Sequence, residues 1–298
     1  MVAVADGLAI YFDRAEKPVY RPGETVSGHV FLSVNHQIDC RAIKFGCWGK
    51  VKVSWSAGWA RNDRTYGAAE DPFFKEEIAL YGTSQNPFLK PGAHQLPFSF
   101  PLPLNCQSSM RIVHGEISYA CRVELDRCWA LNNLVEKGFR VTDAQTPQPG
   151  SLRYCKESGV GCLWCKQGKM EVILQLEKGY FVPSEKILIH AQLVNHTSRR
   201  MKSVKMWLNQ KQEYRARRSR ISYVEDGLVK TEVAESLAAN SQTNRVFELQ
   251  LPANLKCPTV RTKLISVEYV LLFKLIPRGC SRDLEIEIPI TIGNIPSY

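Results

Sequence analysis

The dominant pattern along this chain is a two-residue alternation of apolar and polar side chains. Residues 44–55 show it clearly, because Phe45, Val51 and Val53 alternate with lysine and serine residues. A period of two is typical of a strand with one buried face, whereas a helix would distribute these lysines around its circumference. The same alternation recurs in residues 8–12, 26–34, 171–176, 187–194 and 284–288.

Turn-forming residues separate these alternating runs. Pro22-Gly23, Pro91-Gly92 and Pro183-Ser184 each lie between two of them. Proline presets one backbone angle and glycine tolerates a left-handed conformation, so such pairs mark tight turns. Short strands between frequent turns, with hardly any segment of helical period, predict an all-β chain built from antiparallel β-sandwiches.

The chain also repeats itself in conserved order. Three segments of the first half return in the second: residues 20–32 as 181–193, 98–103 as 247–252, and 115–119 as 265–269. Repeats in one order indicate a duplicated domain. A length of 298 residues agrees with two domains of roughly 150 residues each.

A Pro/Gln/Gly-rich stretch, residues 142–151, lies between the two copies and has the composition of a connector. We therefore predict a first sandwich over residues 1–145, a linker over 146–162 and a second sandwich over 163–298.

Composition limits the class of protein. A hydrophobic fraction of 44% is ordinary for a globular chain. No run approaches the roughly 18 apolar residues of a membrane helix, and the first residues lack a basic segment followed by an apolar one. We therefore expect a chain that is neither membrane-spanning nor exported, with its ten cysteines as free thiols.

The ordered motifs resemble the arrestin family in its alpha-arrestin, or arrestin domain-containing, form. In the first half they are residues 22–24, 49–55, 64–66, 98–103, 114–119 and 125–129, and in the second half residues 162–165, 180–195 and 284–293. The resemblance covers nearly the whole chain, and the order of the motifs is more specific than any single motif.

The resemblance implies two immunoglobulin-like antiparallel β-sandwiches in tandem, the arrestin N and C domains. It also implies a non-catalytic adaptor in membrane-protein trafficking, cytoplasmic and peripheral to the plasma membrane or endosomes. Such a protein binds cytosolic tails of receptors or transporters and links them to endocytic or ubiquitination machinery. Ubiquitin ligases with WW domains read Pro-Pro-x-Tyr motifs, which this sequence lacks; Pro296 and Tyr298 are the nearest approach to one.

A formal charge of +10 favours anionic partners, such as an acidic or phosphorylated peptide or anionic lipid. Arg14 matches a basic position of the resembled family. Lys44, Lys50 and Lys52 share one face of a predicted strand. A dense basic run in the second half adds further candidates: Arg199, Arg200, Arg215, Arg217, Arg218 and Arg220. The alternative is that these lysines and arginines are simply the solvated face of strands and a loop. Cations without interleaved aromatic residues do not favour nucleic acid.

Neither a cofactor nor a catalytic site is expected. Cys155, Cys162 and Cys165 offer zinc one Cys-x-x-Cys pair and no second pair, and they are also candidates for redox chemistry or acylation. No hydrolase or phosphate-loop motif occurs. Two alternatives stay open: a retromer-type cargo or coat subunit, and an extracellular adhesion module of two immunoglobulin-like domains.

Overall fold

The computed structural model describes residues 7–14, 18–57, 65–82, 88–127, 133–142, 149–162, 165–217, 219–234, 237–255, 257–278 and 283–293. All regular structure in these ranges is β-strand, and the chain divides into two compact units. The first consists chiefly of Met1–Asp143 and the second chiefly of Ala144–Tyr214, Arg220–Arg261 and Ile265–Tyr298. The prediction of an all-β chain of antiparallel sandwiches is confirmed.

The first unit contains eleven strands: β1 (Ala9–Phe12), β2 (Val19–Tyr20), β3 (Thr25–Val34), β4 (Ile38–Asp39), β5 (Ala42–Ala57), β6 (Thr65–Tyr81), β7 (Phe88–Leu89), β8 (Gly92–Pro101), β9 (Met110–Ile112), β10 (Gly115–Asp126) and β11 (Asn133–Val141). One sheet has the order β1-β3-β8. The other has the order β2-β11-β10-β5-β6, with β9 paired to β10, and β4 pairs with β7.

The second unit contains ten strands: β12 (Pro149–Cys162), β13 (Cys165–Lys178), β14 (Tyr180–Phe181), β15 (Lys186–Asn195), β16 (Met201–Ala216), β17 (Ser219–Ala234), β18 (Ser241–Gln250), β19 (Val260–Arg261), β20 (Ile265–Pro277) and β21 (Leu284–Ile292). Its sheets have the orders β12-β13-β15-β18 and β14-β21-β20-β16-β17, with β19 paired to β20.

The two units share the strand order of their larger sheets, as the sequence duplication predicts, while their smaller sheets have three and four strands. β3 and β8 correspond to β15 and β18, and β10 corresponds to β20. Each unit even contains the same short parallel pair, β2 on β11 and β14 on β21, within otherwise antiparallel sheets. The alternation seen in sequence becomes alternating burial: β3 and β15 bury every second side chain against the opposite sheet.

The structure differs from the predicted linker over residues 146–162. Pro149–Cys162 forms β12, which pairs with β13 in the second unit. The turn-rich composition ends near Ser151, after which half-buried Leu152 and Tyr154 alternate with exposed Arg153 and Cys155. A short alternating run is therefore the local signal for this strand.

Candidate partner-binding edge and basic surfaces

β1 is a short edge strand of the first unit. It pairs with β3 and, among the described strands, has none on its other side. Tyr11 is 47% exposed, and its ring stacks on His29 with centroids 5.3 Å apart. Gly28 of β3 permits the close approach of the two strands, because a Cβ there would lie 2.0 Å from the Tyr11 carbonyl oxygen. The open side of β1 offers backbone groups to a further strand.

A lysine from the opposite sheet reaches this open side. Lys137 of β11 donates a hydrogen bond from Nζ to the Ile10 carbonyl oxygen, 3.1 Å away. Its ammonium lies 5.5 Å from the Tyr11 ring centroid and 5.6 Å from that of Phe12. Among the residues the structure describes, no carboxylate forms an ion pair with Lys137. The edge therefore combines backbone groups that have no strand partner with a lysine that has no carboxylate partner among the described residues.

The direction of the Ile10 carbonyl identifies which backbone groups face outward. The Asp13 amide donates a hydrogen bond to the Ser27 carbonyl of the β3 segment, 3.1 Å away. The backbone N–H and C=O groups of odd-numbered residues of β1 therefore point toward β3. In an antiparallel pair the alternate residues direct both N–H and C=O away from the partner. The amides and carbonyls of Ile10 and Phe12 therefore face the open edge.

Arg14, a predicted anion-binding residue, instead holds a turn together. Its guanidinium donates to Glu24 Oε2 at 2.8 Å and to the Val19 carbonyl at 3.1 Å, and lies 4.7 Å from the Tyr20 ring centroid. The hydrogen bond from Arg14 holds the pKa of Glu24 below its usual value, despite an opposing effect of burial. Glu24 also accepts the Arg21 amide at 2.9 Å.

The second unit contains the same arrangement of a cation, an aromatic ring and a glutamate, which we call a turn clamp. Lys178 pairs with Glu185, whose carboxylate accepts the Val182 amide at 2.9 Å, and lies 5.4 Å from the Phe181 ring centroid. The turn clamp recurs at Pro22-Gly23-Glu24 and at Pro183-Ser184-Glu185. In both copies the glutamate of this motif therefore fixes the turn that precedes β3 or β15. The charge of Arg14 is thus matched within the fold, and its anion-binding role stays a prediction.

Lys44, Lys50 and Lys52 lie on one face of β5 as predicted, and two of them have carboxylate partners. Lys44 lies 3.2 Å from Asp126, which Arg41 also contacts. Hydrogen bonds from Arg41 and then Lys44 lower the pKa of Asp126. Lys50 pairs with Glu70 at 3.1 Å and lies 4.4 Å from the Trp48 ring centroid.

Lys52 is exposed but faces carboxylates across the sheet. Its ladder neighbours are Glu70 on β6 and Glu116 on β10. Next to this face, a shallow depression of about 200 Å³ has a mixed lining that includes Lys75, Glu77 and Arg122. The sheet is charged without being dominantly positive, and its role in binding anions stays a prediction.

The basic run of the second half does not form one cluster. Arg199 and Arg200 precede β16, whereas Arg215 and Arg217 lie at or beyond its other end. A strand of 16 residues spans roughly 50 Å at about 3.3 Å per residue. Arg220 on β17 pairs with the buried Glu213. The run therefore separates into two basic groups rather than one stripe.

Three other candidate residues lie outside the described residues: Arg218, Pro296 and Tyr298. Their proposed roles stay predictions.

The predicted cysteine group lies on two paired strands, with Cys155 and Cys162 on β12 and Cys165 on β13. Cys155 is exposed, with Sγ 3.8 Å from Glu171 Oε1, while the backbones of Cys162 and Cys165 face each other in the β12–β13 ladder. Seven residues of strand place Cys155 roughly 20 Å from Cys162. Zinc holds its sulfur ligands about 2.3 Å from the metal, so Cys155 cannot share an ion with the other two. The described side chains contain no metal-ligating cluster of three or more residues.

Lys137 is the site residue that the sequence reasoning missed. The alternating pattern of β11 could have indicated it. Lys137 occupies the same face of the strand as Phe139 and Val141, which are buried. A lysine at an inward-facing position of an apolar series marks a charge that the fold must accommodate.

Two sandwiches whose larger sheets have the same strand order, each with its turn clamp, define a tandem-sandwich protein. The family model described as Arrestin (or S-antigen), N-terminal domain matches residues 8–146, and that for the Arrestin (or S-antigen), C-terminal domain matches residues 166–297. The chain therefore belongs to the arrestin family.

Curated relatives agree with this assignment. Arrestin domain-containing protein 4 of Homo sapiens is 27% identical over 311 residues, covering 97% of this chain and 71% of that protein. Arrestin domain-containing protein 17 of Caenorhabditis elegans is 24% identical, covering 98% and 71%. Thioredoxin-interacting protein of Mus musculus is 26% identical, covering 96% and 72%. None of the described segments is a helix long and apolar enough to span a membrane.

Proposed function

We propose that this chain is a non-catalytic adaptor that binds extended, acidic cytosolic segments of membrane receptors or transporters along β1. The observation that carries the proposal is the contact between Lys137 Nζ and the outward-facing Ile10 carbonyl at 3.1 Å. It places a positive charge on an edge whose Ile10 and Phe12 backbone groups have no strand partner among the described residues.

Addition of a strand uses both features. An incoming segment donates an amide to the Ile10 carbonyl and accepts from the Phe12 amide, as in other edge-binding domains. Lys137 leaves the Ile10 carbonyl and pairs with an acidic side chain of the segment, which adds charge selection to backbone hydrogen bonding. The exposed Tyr11 ring offers apolar contact on the same strand.

Membership of the arrestin family supports the wider role proposed here. Held at the plasma membrane or endosomes by its cargo, the adaptor would connect that cargo to endocytic or ubiquitination machinery. Four described cysteines are free thiols, which supports an intracellular setting over an extracellular adhesion module: Cys47, Cys121, Cys155 and Cys257. Proximity labelling in cells separates a ligase adaptor from a retromer-type coat subunit by the partners it labels.

The binding test compares two lysines of the first unit. Lys137→Met keeps the aliphatic part of the side chain but removes the charge, and Lys52→Met does the same on the outer face of β5. We measure fluorescence anisotropy with a labelled, glutamate-rich peptide free of proline and with a copy in which alternate residues are proline.

We expect Lys137→Met to weaken binding on the order of tenfold, from the loss of a charge-assisted contact, and Lys52→Met to leave it unchanged. Proline should abolish binding because it removes the amide donors. Equal effects of the two lysine variants, or tight binding of the proline-containing peptide, would refute edge addition at β1.

A further inference from the structure

β17 is a 16-residue edge strand without proline, whereas three other long edges are interrupted; β18, an edge of ten residues, also lacks proline and register shifts. β6 is interrupted by Pro72 and by a register shift against β5, and β8 contains Pro97 and Pro101. β12 has two register shifts against β13. β17 extends over 16 residues without proline, and no described strand pairs with its outer side. Prolines and bulges are what natural proteins use to prevent edge pairing.

The first half of β17 exposes apolar side chains on both of its faces. Tyr223 is 44% exposed and Val224 is 57% exposed, and successive strand residues point to opposite faces. The Tyr223 ring contacts Tyr214 edge-on with centroids 6.2 Å apart, so Val224 lies on the other face. An exposed apolar strand of this kind is a docking edge or an aggregation site.

Charges flank this apolar centre with opposite signs. Arg220 precedes it and is 60% exposed even though it pairs with Glu213. Glu225 and Asp226 follow it, are exposed, and form no ion pair with any residue that the structure describes. A guanidinium carries five N–H donors, which allows Arg220 to contact a second carboxylate. The segment is therefore positive at its start and negative at its end.

Such a segment is complementary to itself when reversed. A two-fold axis perpendicular to a sheet pairs two copies of one edge strand antiparallel. Each face of one sheet then continues into the same face of the other. Residues that lie opposite each other must therefore both have even numbers or both have odd numbers. With the axis at Tyr223, Arg220 of each copy lies opposite Asp226 of the other, and Ser222 lies opposite Val224. Gly227, at φ 69° with its amide bonded to Asn209 Oδ1 at 2.9 Å, ends this regular stretch.

We propose that β17 is a homodimerisation edge, in which residues 219–226 of two copies pair antiparallel about Tyr223. The occupant is a second copy of this chain because the strand supplies both halves of the charge pattern. The interface joins two six-stranded sheets and gives the dimer two separate β1 edges, one per copy.

Sedimentation equilibrium of the full chain across the micromolar range tests the proposal. Two valines give a matched pair: Val224 on β17 and Val246 on β18, which is 55% exposed on another edge strand of the same unit. We expect a dimer that Val224→Lys weakens on the order of tenfold, because two cross-strand contacts per dimer are lost. Val246→Lys should leave it unchanged, and added salt should weaken it through the Arg220–Asp226 pairs.

Cross-linking tests the register. Residues opposite each other in an antiparallel pair have Cα atoms about 4.5 to 5.5 Å apart, within the range of a disulfide. Under mild oxidation Tyr223→Cys should form a covalent dimer more rapidly than the unmodified chain, and Val246→Cys should not. A monomer throughout the concentration range, or a dimer equally sensitive to both lysine variants or cross-linked equally at both positions, would overturn the proposal.

Discussion

Tyr269 offers a test of how the second unit is held together. It is 1% exposed on β20, and its hydroxyl donates to the Cys257 carbonyl at 2.5 Å while accepting from Gln210 Nε2 at 2.5 Å. Gln210 is itself buried and hydrogen-bonded to Gln212. Tyr269→Phe removes one atom and leaves a buried carbonyl and a buried amide without this partner.

The expected cost follows from those two groups. A buried polar group left without its hydrogen bond costs about 1 to 3 kcal/mol, so the two groups together should destabilise the second unit by about 2 to 6 kcal/mol in Tyr269→Phe. Burial raises the pKa of the Tyr269 hydroxyl above its ordinary value, so the hydroxyl remains a donor at every pH of the assay. The loss should therefore be independent of pH near neutrality.

The first unit provides a control. Tyr119 is the equivalent residue on β10, and its hydroxyl donates to the Gln107 carbonyl at 2.6 Å. Hydrogen exchange measured on β16 and β20 should increase for Tyr269→Phe, while Tyr119→Phe should increase exchange on β5 and β10. A Tyr269→Phe variant with unchanged exchange in β16 and β20 would refute the hydrogen-bond argument.

Three further predictions concern Glu24, Gly28 and three cysteine thiols. Glu24→Gln should lower the free energy of unfolding by less than about 1 kcal/mol at neutral pH, because the Arg14–Glu24 ion pair is partly exposed. The folded-state pKa of Glu24 is lowered, so this difference between variant and unmodified chain should vanish as pH falls through that pKa. Chemical unfolding titrations at several pH values measure it. Gly28→Ala should displace β1, since the new Cβ meets a backbone oxygen, and limited proteolysis should cleave the variant faster in the N-terminal segment. In thiol titration Cys155 should react in the native state, whereas Cys47 and Cys121, buried with Sγ atoms 3.7 Å apart, should react only in denaturant.

Much of the fold follows from local pattern because strand alternation and turn residues act over a few positions. The repeat identifies β3 with β15 and β8 with β18, and both pairs occupy equivalent positions in their sheets. The start of β12 is harder to predict, because its turn-rich first residues conceal the alternation that follows Ser151.

Site residues are less predictable because their roles depend on contacts between distant segments. Arg14 is adjacent to β1 in sequence, yet its partner Glu24 lies beyond a turn and neutralises its charge. Lys137 is 127 residues from Ile10, and only the pairing of both sheets brings it to the open side of β1. Arg199 and Arg217 belong to one basic run, but the extended β16 separates them.

The most direct test of the account is NMR-detected exchange of the Ile10 and Phe12 amides with and without a glutamate-rich extended peptide. Addition of a strand at the β1 edge predicts that Phe12 becomes protected, with a smaller gain at Ile10, and that Lys137→Met reduces this protection. Peptide binding that leaves both amides unprotected, or that protects only strands of the second unit, would contradict an adaptor that reads its partners along β1.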